Sequence, residues 1–444
     1  MAHRTAPTKA QSDKAKSRFG EGIGHTFASL SNPSYQAFWI SLLASYSAMQ
    51  MNIVARGYLA FVLTDSATAL GVVSLARGLP MLVLSPFAGV VADRVDKQRL
   101  IVATQTGLMV VSVVTSALVH FHVIQFWHLV VLSIVSGVIF TFNPPARQAL
   151  LPQLVDDDNL GNAIALNGSG RNLTRIVAPS VAGVMMGMPI FGISGAFDAI
   201  SIAYLLAAVL LLRLQLKPVD SSTAAAVAHA RKKPISLSDM GSGFRYILSD
   251  QRLWLLIVLG FVPVLLGNPY QTLLPVFQAR VLDVGPAGLG MLYGAAGVGG
   301  LIGTLVVAAL ADDPRKAGLQ LGFGILFGVA LCFFALVHVF SLDLFFLIFV
   351  GIAGDGYSTL NSTMVMLNTD RAWYGRVMSI YMMNWSLMPL ATLPLGAMSD
   401  SIGAPITEAI AGALIVALVI GVVIFYPSWR KLGDAAPTPV PRQA

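Results

Sequence analysis

The sequence is short of what a water-soluble catalytic domain needs. Only 11% of its 444 residues are charged, against about 25% in soluble domains. So few charges cannot cover the surface of a globule this long, which excludes a soluble fold. There is one cysteine, Cys332, so no disulfide can form within the chain, and Cys332 reads as a small core residue. No Gly-Lys-Ser or Gly-Lys-Thr phosphate loop is present to couple ATP. No Cys/His cluster has metal spacing, and His120 and His122 read as solvated side chains with no third ligand nearby. No metal, no cofactor and no enzymatic activity is therefore expected. The basic N-terminus, Met1 to Asn32, lacks an apolar core followed by a small-residue cleavage site, so no cleaved signal is expected.

What the chain has in excess is apolar sequence, 56% of it, arranged in long runs. Leu100 to Val119, Phe126 to Ala146 and Leu319 to Leu342 contain no Asp, Glu, Lys or Arg. Each is near the ~20 residues that carry a helix across about 30 Å of hydrocarbon. A helix satisfies its own backbone hydrogen bonds there. Twelve such spans are placed at 36–63, 69–91, 100–120, 126–146, 163–188, 194–212, 253–279, 288–310, 319–338, 343–366, 378–399 and 406–426. The expected fold class is an all-α membrane protein of twelve transmembrane helices.

Lysine and arginine sort to alternate loops. The segments 1–34, 92–99, 147–162, 213–252, 311–318, 367–377 and 427–444 hold 23 of the 28 basic residues. By the positive-inside bias these segments, both termini included, face the cytoplasm. The net charge of +7 thus belongs to membrane topology, and no nucleic acid is expected as a partner.

The longest loop, 213–252, divides the chain into an N-terminal six-helix bundle at 35–212 and a C-terminal one at 253–426, with polar tails at 1–34 and 427–444. The loop contains the basic run Arg231-Lys232-Lys233. Its second part, Ser236 to Asp250, is either a short surface helix started by Ser236 or a disordered linker. The halves echo each other. Asp65 to Gly71 opens the second span as Asp283 to Gly290 opens the eighth, and Ala92-Asp93-Arg94 closes one as Ala311-Asp312-Asp313 closes the other. A duplicated six-helix unit leaves such traces.

Charges inside spans are costly and demand a use. Arg171 and Arg175 lie four residues apart on one face of the fifth span, and Pro179 continues that face. Arg77 lies in the second span. Asp355, flanked by Gly354 and Gly356, falls near the middle of the tenth span. A buried carboxylate can change protonation state, whereas an arginine stays a fixed positive charge. Asp355 is therefore the candidate proton-coupling residue, and Arg77, Arg171 and Arg175 are candidate cavity charges. The alternative is that these charges form structural ion pairs locking helices together. Glycines crowd the eighth span, and Gly299 and Gly303 have the spacing that lets helices approach closely.

At the end of the second span stand Gly89, Asp93, Arg94, Asp96, Lys97 and Arg99. This pattern resembles the loop signature of the major facilitator superfamily, with Asp96 where the commonest form has glycine. Arg175-Ile-Val-Ala178-Pro179-Ser-Val-Ala182-Gly183 is similar to that superfamily's antiporter motif, with alanines at two usual glycines. Phe142-Asn143-Pro144-Pro145-Ala146-Arg147, Leu151-Pro152, Asn162, Asn167, Asn172 and Gly375-Arg376-Val377-Met378-Ser379 resemble the enterobactin-exporter-like and macrolide-efflux-like subgroup, the bacterial effector family. The resemblance implies two pseudo-symmetric bundles around a cavity lined by helices 1, 2, 4, 5, 7, 8, 10 and 11, rocking under a proton gradient. It implies a multi-pass protein of the bacterial inner membrane that exports small amphiphilic molecules such as drugs or siderophores. Its partners are then a small-molecule substrate, protons and the lipid bilayer, with a monomer as the working unit. A proton-coupled importer on the same fold and a non-transport sensor or assembly module are the competing readings. Gly89, Asp93, Arg94, Arg99 and Arg147 are expected at a cytoplasmic gate, with Asp93 pairing with Arg147 and the helix start near Gly375.

Overall fold

A computed structural model describes residues 28–214, 237–310, 313–370 and 373–426. The Arg231-Lys232-Lys233 run, Ala311-Asp312, and the tails at 1–27 and 427–444 lie outside the described residues, as does the side chain of Asp93.

Among the described residues the chain is helical throughout. The long helices are α1 (Pro33–Thr64), α2 (Ala67–Arg94), α3 (Lys97–His120), α4 (Phe126–Thr141), α5 (Asp157–Gly187), α6 (Gly192–Leu212), α7 (Gln251–Val281), α8 (Pro286–Ala309), α9 (Lys316–Val337), α10 (Phe340–Leu367), α11 (Tyr374–Ile402) and α12 (Ala404–Phe425). They match the twelve expected spans. Nine are long and apolar enough to cross a bilayer by composition alone. The other three, α1, α5 and α11, carry polar residues such as Arg56, Arg171, Arg175 and Asn384 in their middles, which lowers their hydropathy.

Local chemistry sets the helix ends. The Asn32 side chain accepts from the Ser34 and Tyr35 N–H groups, and Pro33 occupies the first turn, where its missing N–H is not needed. Asp96 caps α3, accepting from the Arg99 N–H at 2.8 Å. The departure from glycine there therefore has a purpose, a side-chain cap that glycine lacks. After α4, Asn143-Pro144-Pro145 starts a short helix, Asn143–Leu150. In α7, Pro263 has no N–H to give the carbonyl of Leu259, and the Tyr357 hydroxyl donates to it instead at 3.0 Å. A wide turn at Pro263–Gly267 accommodates this break, and a second, Phe277–Val281, follows Pro275. Part of the long loop forms the helix Leu237–Ser249. Its Tyr246 stacks on Trp373 with ring centroids 4.8 Å apart and donates a hydrogen bond to Asp370.

The internal echo extends to the backbone. Asp65 and Asp283, His122 and His338, and Gly192 and Gly403 all have positive φ. Each pair occupies the same corner of the two halves, at the start of α2 and α8, of α4 and α10, and of α6 and α12. All six corners lie at one end of the molecule, the end remote from Arg94, Lys97, Arg99 and Arg147. The two are called here the far end and the basic end.

Helices α1 to α6 pack on one another, as do α7 to α12, and the two sets meet mainly along α2–α11 and α5–α8. Both seams are glycine contacts. A Cβ on Gly71 would lie 2.7 Å from the Leu393 Cα, and one on Gly183 would lie 2.6 Å from the Gly290 Cα. Gly396 abuts Ala67 and Thr68, and Gly78 abuts Pro389. Toward the basic end the contact ends, and Gly89 on α2 and Gly375 on α11 border open space. The halves thus close on each other at the far end and part at the basic end. Gly299 and Gly303 do pack closely, but within one half, against the Ile348 and Ile352 backbone of α10.

Candidate functional site

Three groups of charged residues occupy the interface between the halves and the interior beside it. At the far end, Asp400 near the close of α11 reaches the start of α2. Its carboxylate accepts from the Ala67 and Thr68 N–H groups at 2.8 Å and from the Ser66 and Thr68 hydroxyls at 2.7 Å. A carboxylate is favoured at a helix N-terminus, where backbone N–H groups lack partners. Burial alone would push the Asp400 carboxyl up, but these hydrogen bonds outweigh it and hold it at about 2. Arg280, at the end of α7, completes the latch. Its guanidinium lies 3.1 Å from Asp65 and 3.6 Å from Asp400, and it covers the Phe61 ring. Sequence reasoning gave neither Arg280 nor Asp400 a role. The available signal was Arg280 itself, the one arginine or lysine among the described residues at that end.

Deeper in the seam, Arg175 on α5 meets Asp355 on α10 with Nη2 2.7 Å from Oδ2. The two side chains are 36% and 20% exposed, so the pair is reachable by water. Gly300 on α8 provides the room, since a Cβ there would overlap the Asp355 carboxylate. Pro179 and Gly183 continue α5 along the same seam, with the Pro179 carbonyl 2.9 Å from where a Gly290 Cβ would stand. Ser180 fixes the crossing by donating to the Gly290 carbonyl at 3.1 Å.

The third group belongs to α1–α6. Arg56 on α1 is buried and donates through Nη1 to Ser133 and Ser136 on α4 at 2.9 and 2.8 Å. Arg77 on α2 lies over the Phe140 ring at 5.3 Å, and Arg171 lies over Tyr46 at 6.0 Å. Charges at such depth cost about 2.5–3.5 kcal/mol each on insertion scales. Arg175 is thus the one candidate cavity arginine brought to Asp355, while Arg77 and Arg171 rest on aromatic faces. Arg56 carried no expectation in the sequence, although Ser133 and Ser136 lie three apart, the spacing that puts two hydroxyls on one helix face.

At the basic end Arg94 and Arg99 are exposed. Arg147 is buried, bonds to Asn143 and Ser41 at 3.1 and 3.3 Å, and covers the Phe38 ring. It therefore braces the short helix against α1 rather than reaching toward α11. Two buried acids, Asp343 on α10 and Glu408 on α12, have no hydrogen-bond partner among the described residues. An apolar groove of about 570 Å³ along α5, lined by residues such as Val177, Val181 and Met188, holds none of these charged groups. Among the described residues no three His, Cys, Asp or Glu side chains cluster as a metal site would require.

Comparison with known proteins agrees with this architecture. The profile of the transmembrane secretion effector family matches residues 24–443. The staphyloferrin A transporter of Staphylococcus aureus is 27% identical over 379 residues, covering 84% of this chain and 91% of that protein. Macrolide efflux protein A of Streptococcus pyogenes is 21% identical over 86% of this chain and 92% of its own. A bacterial homologue of the human lysosomal transporter Spinster, solved inward-facing and unoccupied, superposes with a TM-score of 0.68 at 14% identity, over 90% of this chain and 96% of that one.

Proposed function

The chain belongs to the transmembrane secretion effector family of major facilitator transporters, and from that premise we propose that it exports small amphiphilic molecules in exchange for protons. A multi-pass bacterial inner-membrane protein follows from the family; the orientation, the coupling ion and the direction are the proposal. By the positive-inside bias the basic end is cytoplasmic, so the conformation described is open inward and latched outward. The units 35–212 and 253–426 rock as bundles within one monomer, and the glycine seams are where they roll.

One observation carries the reading, the Arg175–Asp355 pair at 2.7 Å between the halves. An ionised Asp355 holds the halves together through Arg175. A protonated Asp355 loses that attraction, so taking up a proton and parting the halves are linked events. Proton uptake at Asp355 and the movement that carries substrate then act through one seam, the coupling an antiporter requires. Efflux rather than import rests on the relatives, a siderophore transporter and a macrolide efflux protein. The deciding experiment is proton-driven accumulation of a panel of dyes, antibiotics and siderophores into inverted membrane vesicles. Accumulation of any of them that collapses with the pH gradient supports export. Accumulation only in right-side-out vesicles shows an importer.

A further inference from the structure

The interior of the first half holds positive charge that the protein itself does not neutralise. Arg56 lies eight residues from the end of α1 and Arg77 ten residues into α2, so both sit about 12–15 Å from the far end. Arg56 bonds Ser133 and Ser136 on α4, and the next residue, Gly137, lies against the Arg77 backbone, so both arginines meet the same turn of α4, while α6 carries the buried Tyr204. No carboxylate among the described residues pairs with Arg56, Arg77 or Arg171. The Asp198 carboxylate, on the same helix as Tyr204, is taken by the Ser116 hydroxyl at 2.6 Å. Arg56 is only 4% exposed, yet its Nε has no hydrogen-bond partner. Ser133 and Ser136 hold its Nη1 in place. Arg77 is half-buried, and its guanidinium has the Phe140 ring on one face and no hydrogen-bond partner.

Two like charges held in a low-dielectric interior repel each other, and burying charge without a counter-ion is unfavourable. Structural ion pairs do not explain them, because no carboxylate among the described residues is paired with them. A bound anion does. A guanidinium offers a planar fork of N–H donors that matches a carboxylate, and Phe140 adds an apolar surface beside it. We propose that Arg77, positioned and reinforced by Arg56, binds the anionic group of the transported molecule, a carboxylate-bearing amphiphile. This rests on the transporter reading for the word "transported" but not for binding. The site lies in α1, α2 and α4, apart from the Arg175–Asp355 pair, so an anion can bind without displacing Asp355.

The test is calorimetric titration of the full-length chain in a neutral maltoside detergent. The probes are 2-naphthoate and 2-naphthamide, alike in shape and unlike in charge. Naphthoate is expected to bind about tenfold tighter, the fold-change that corresponds to exchanging a neutral hydrogen bond for one to a charged group. Arg77→Gln should remove that preference, and Arg77→Lys should keep part of it, since charge survives and the fork does not. Arg56→Lys should weaken naphthoate while the protein keeps its melting temperature to within a few degrees. Equal affinity for the two probes, or a preference that survives Arg77→Gln, overturns the inference. So does Arg77-dependent binding of phosphatidylglycerol that naphthoate fails to displace, which assigns the arginines to a lipid headgroup. Because no gradient is applied, a chain that prefers naphthoate but pumps nothing keeps this inference and loses the antiport reading.

Discussion

Gly300 stands directly against the Asp355 carboxylate, and a Cβ there would also come within 3.1 Å of the Arg175 guanidinium. Gly300→Ala should therefore force the pair apart while leaving both charges in place. Overpacking of this kind costs about 1–3 kcal/mol. The expected outcome is a lower melting temperature and proton-driven transport reduced by roughly an order of magnitude, the fold-change that such an energy corresponds to. Wild-type transport with a wild-type melting temperature would show that the seam tolerates the methyl group and that the pair is not tightly placed.

Asp355→Asn keeps the shape of the side chain and removes its charge. Transport driven by a pH gradient should disappear, while exchange of labelled for unlabelled substrate at equal pH persists. A mutant that still concentrates substrate with unchanged pH dependence would make Asp355 structural and move the proton site elsewhere. Glu408 and Asp343, buried and without partners, would then be the next residues to replace.

The far-end latch depends on one carboxylate. Hydrogen bonds to a charged group contribute about 1.5–3 kcal/mol, so Asp400→Asn should raise the outward-open population about tenfold or more. Labelling from outside reads this directly, with Leu393→Cys introduced beside Gly71 and Cys332 replaced by Ala. Unchanged labelling would mean that Arg280 and the glycine seam close the far end without Asp400.

The latch should not respond to pH in the working range. The Asp400 carboxyl is depressed to about 2, so its contribution is fully present above its ordinary value near 3.8 and is lost only as pH falls through about 2. Labelling of the same cysteine should stay level between about pH 5 and 9. A rise in that window would place the pH-sensitive step at the far end instead of at Asp355.

Orientation has its own check. Reporter fusions after residues 122, 190 and 340, which fall at or beside far-end corners, should all report the outer face. A cytoplasmic signal at any of them contradicts the orientation proposed for the basic end.

Most of the fold was legible in the sequence because lipid imposes a long-range rule on composition. Twelve spans, the kinship of the halves and the family followed from run lengths, the Asp65/Asp283 echo and short motifs. The site was less legible because its partners depend on where helices cross. Arg171 and Arg175 share a helix face, and nothing in their spacing says that the second meets Asp355 while the first rests on Tyr46. The latch joins Asp65, Arg280 and Asp400, three residues distant in sequence, and no local pattern links them. Arg147 is expected at a gate because it stands at the end of a first-half helix that faces the second half. Its partners, Ser41 and Asn143, lie inside the first half.

The crossing of α5 over α8 has a mechanical consequence. Where Gly183 faces Gly290 the helix axes are separated by backbone alone, so beyond the Ser180 hydrogen bond no bulky side chain must disengage at that point before one helix turns on the other. Such a bearing offers little friction to rotation, and it sets no preference between the two ends of the swing. The preference then comes from the charges at either side of the pivot. Their replacement should alter how long each state lasts, and filling the pivot should slow both directions of the swing alike.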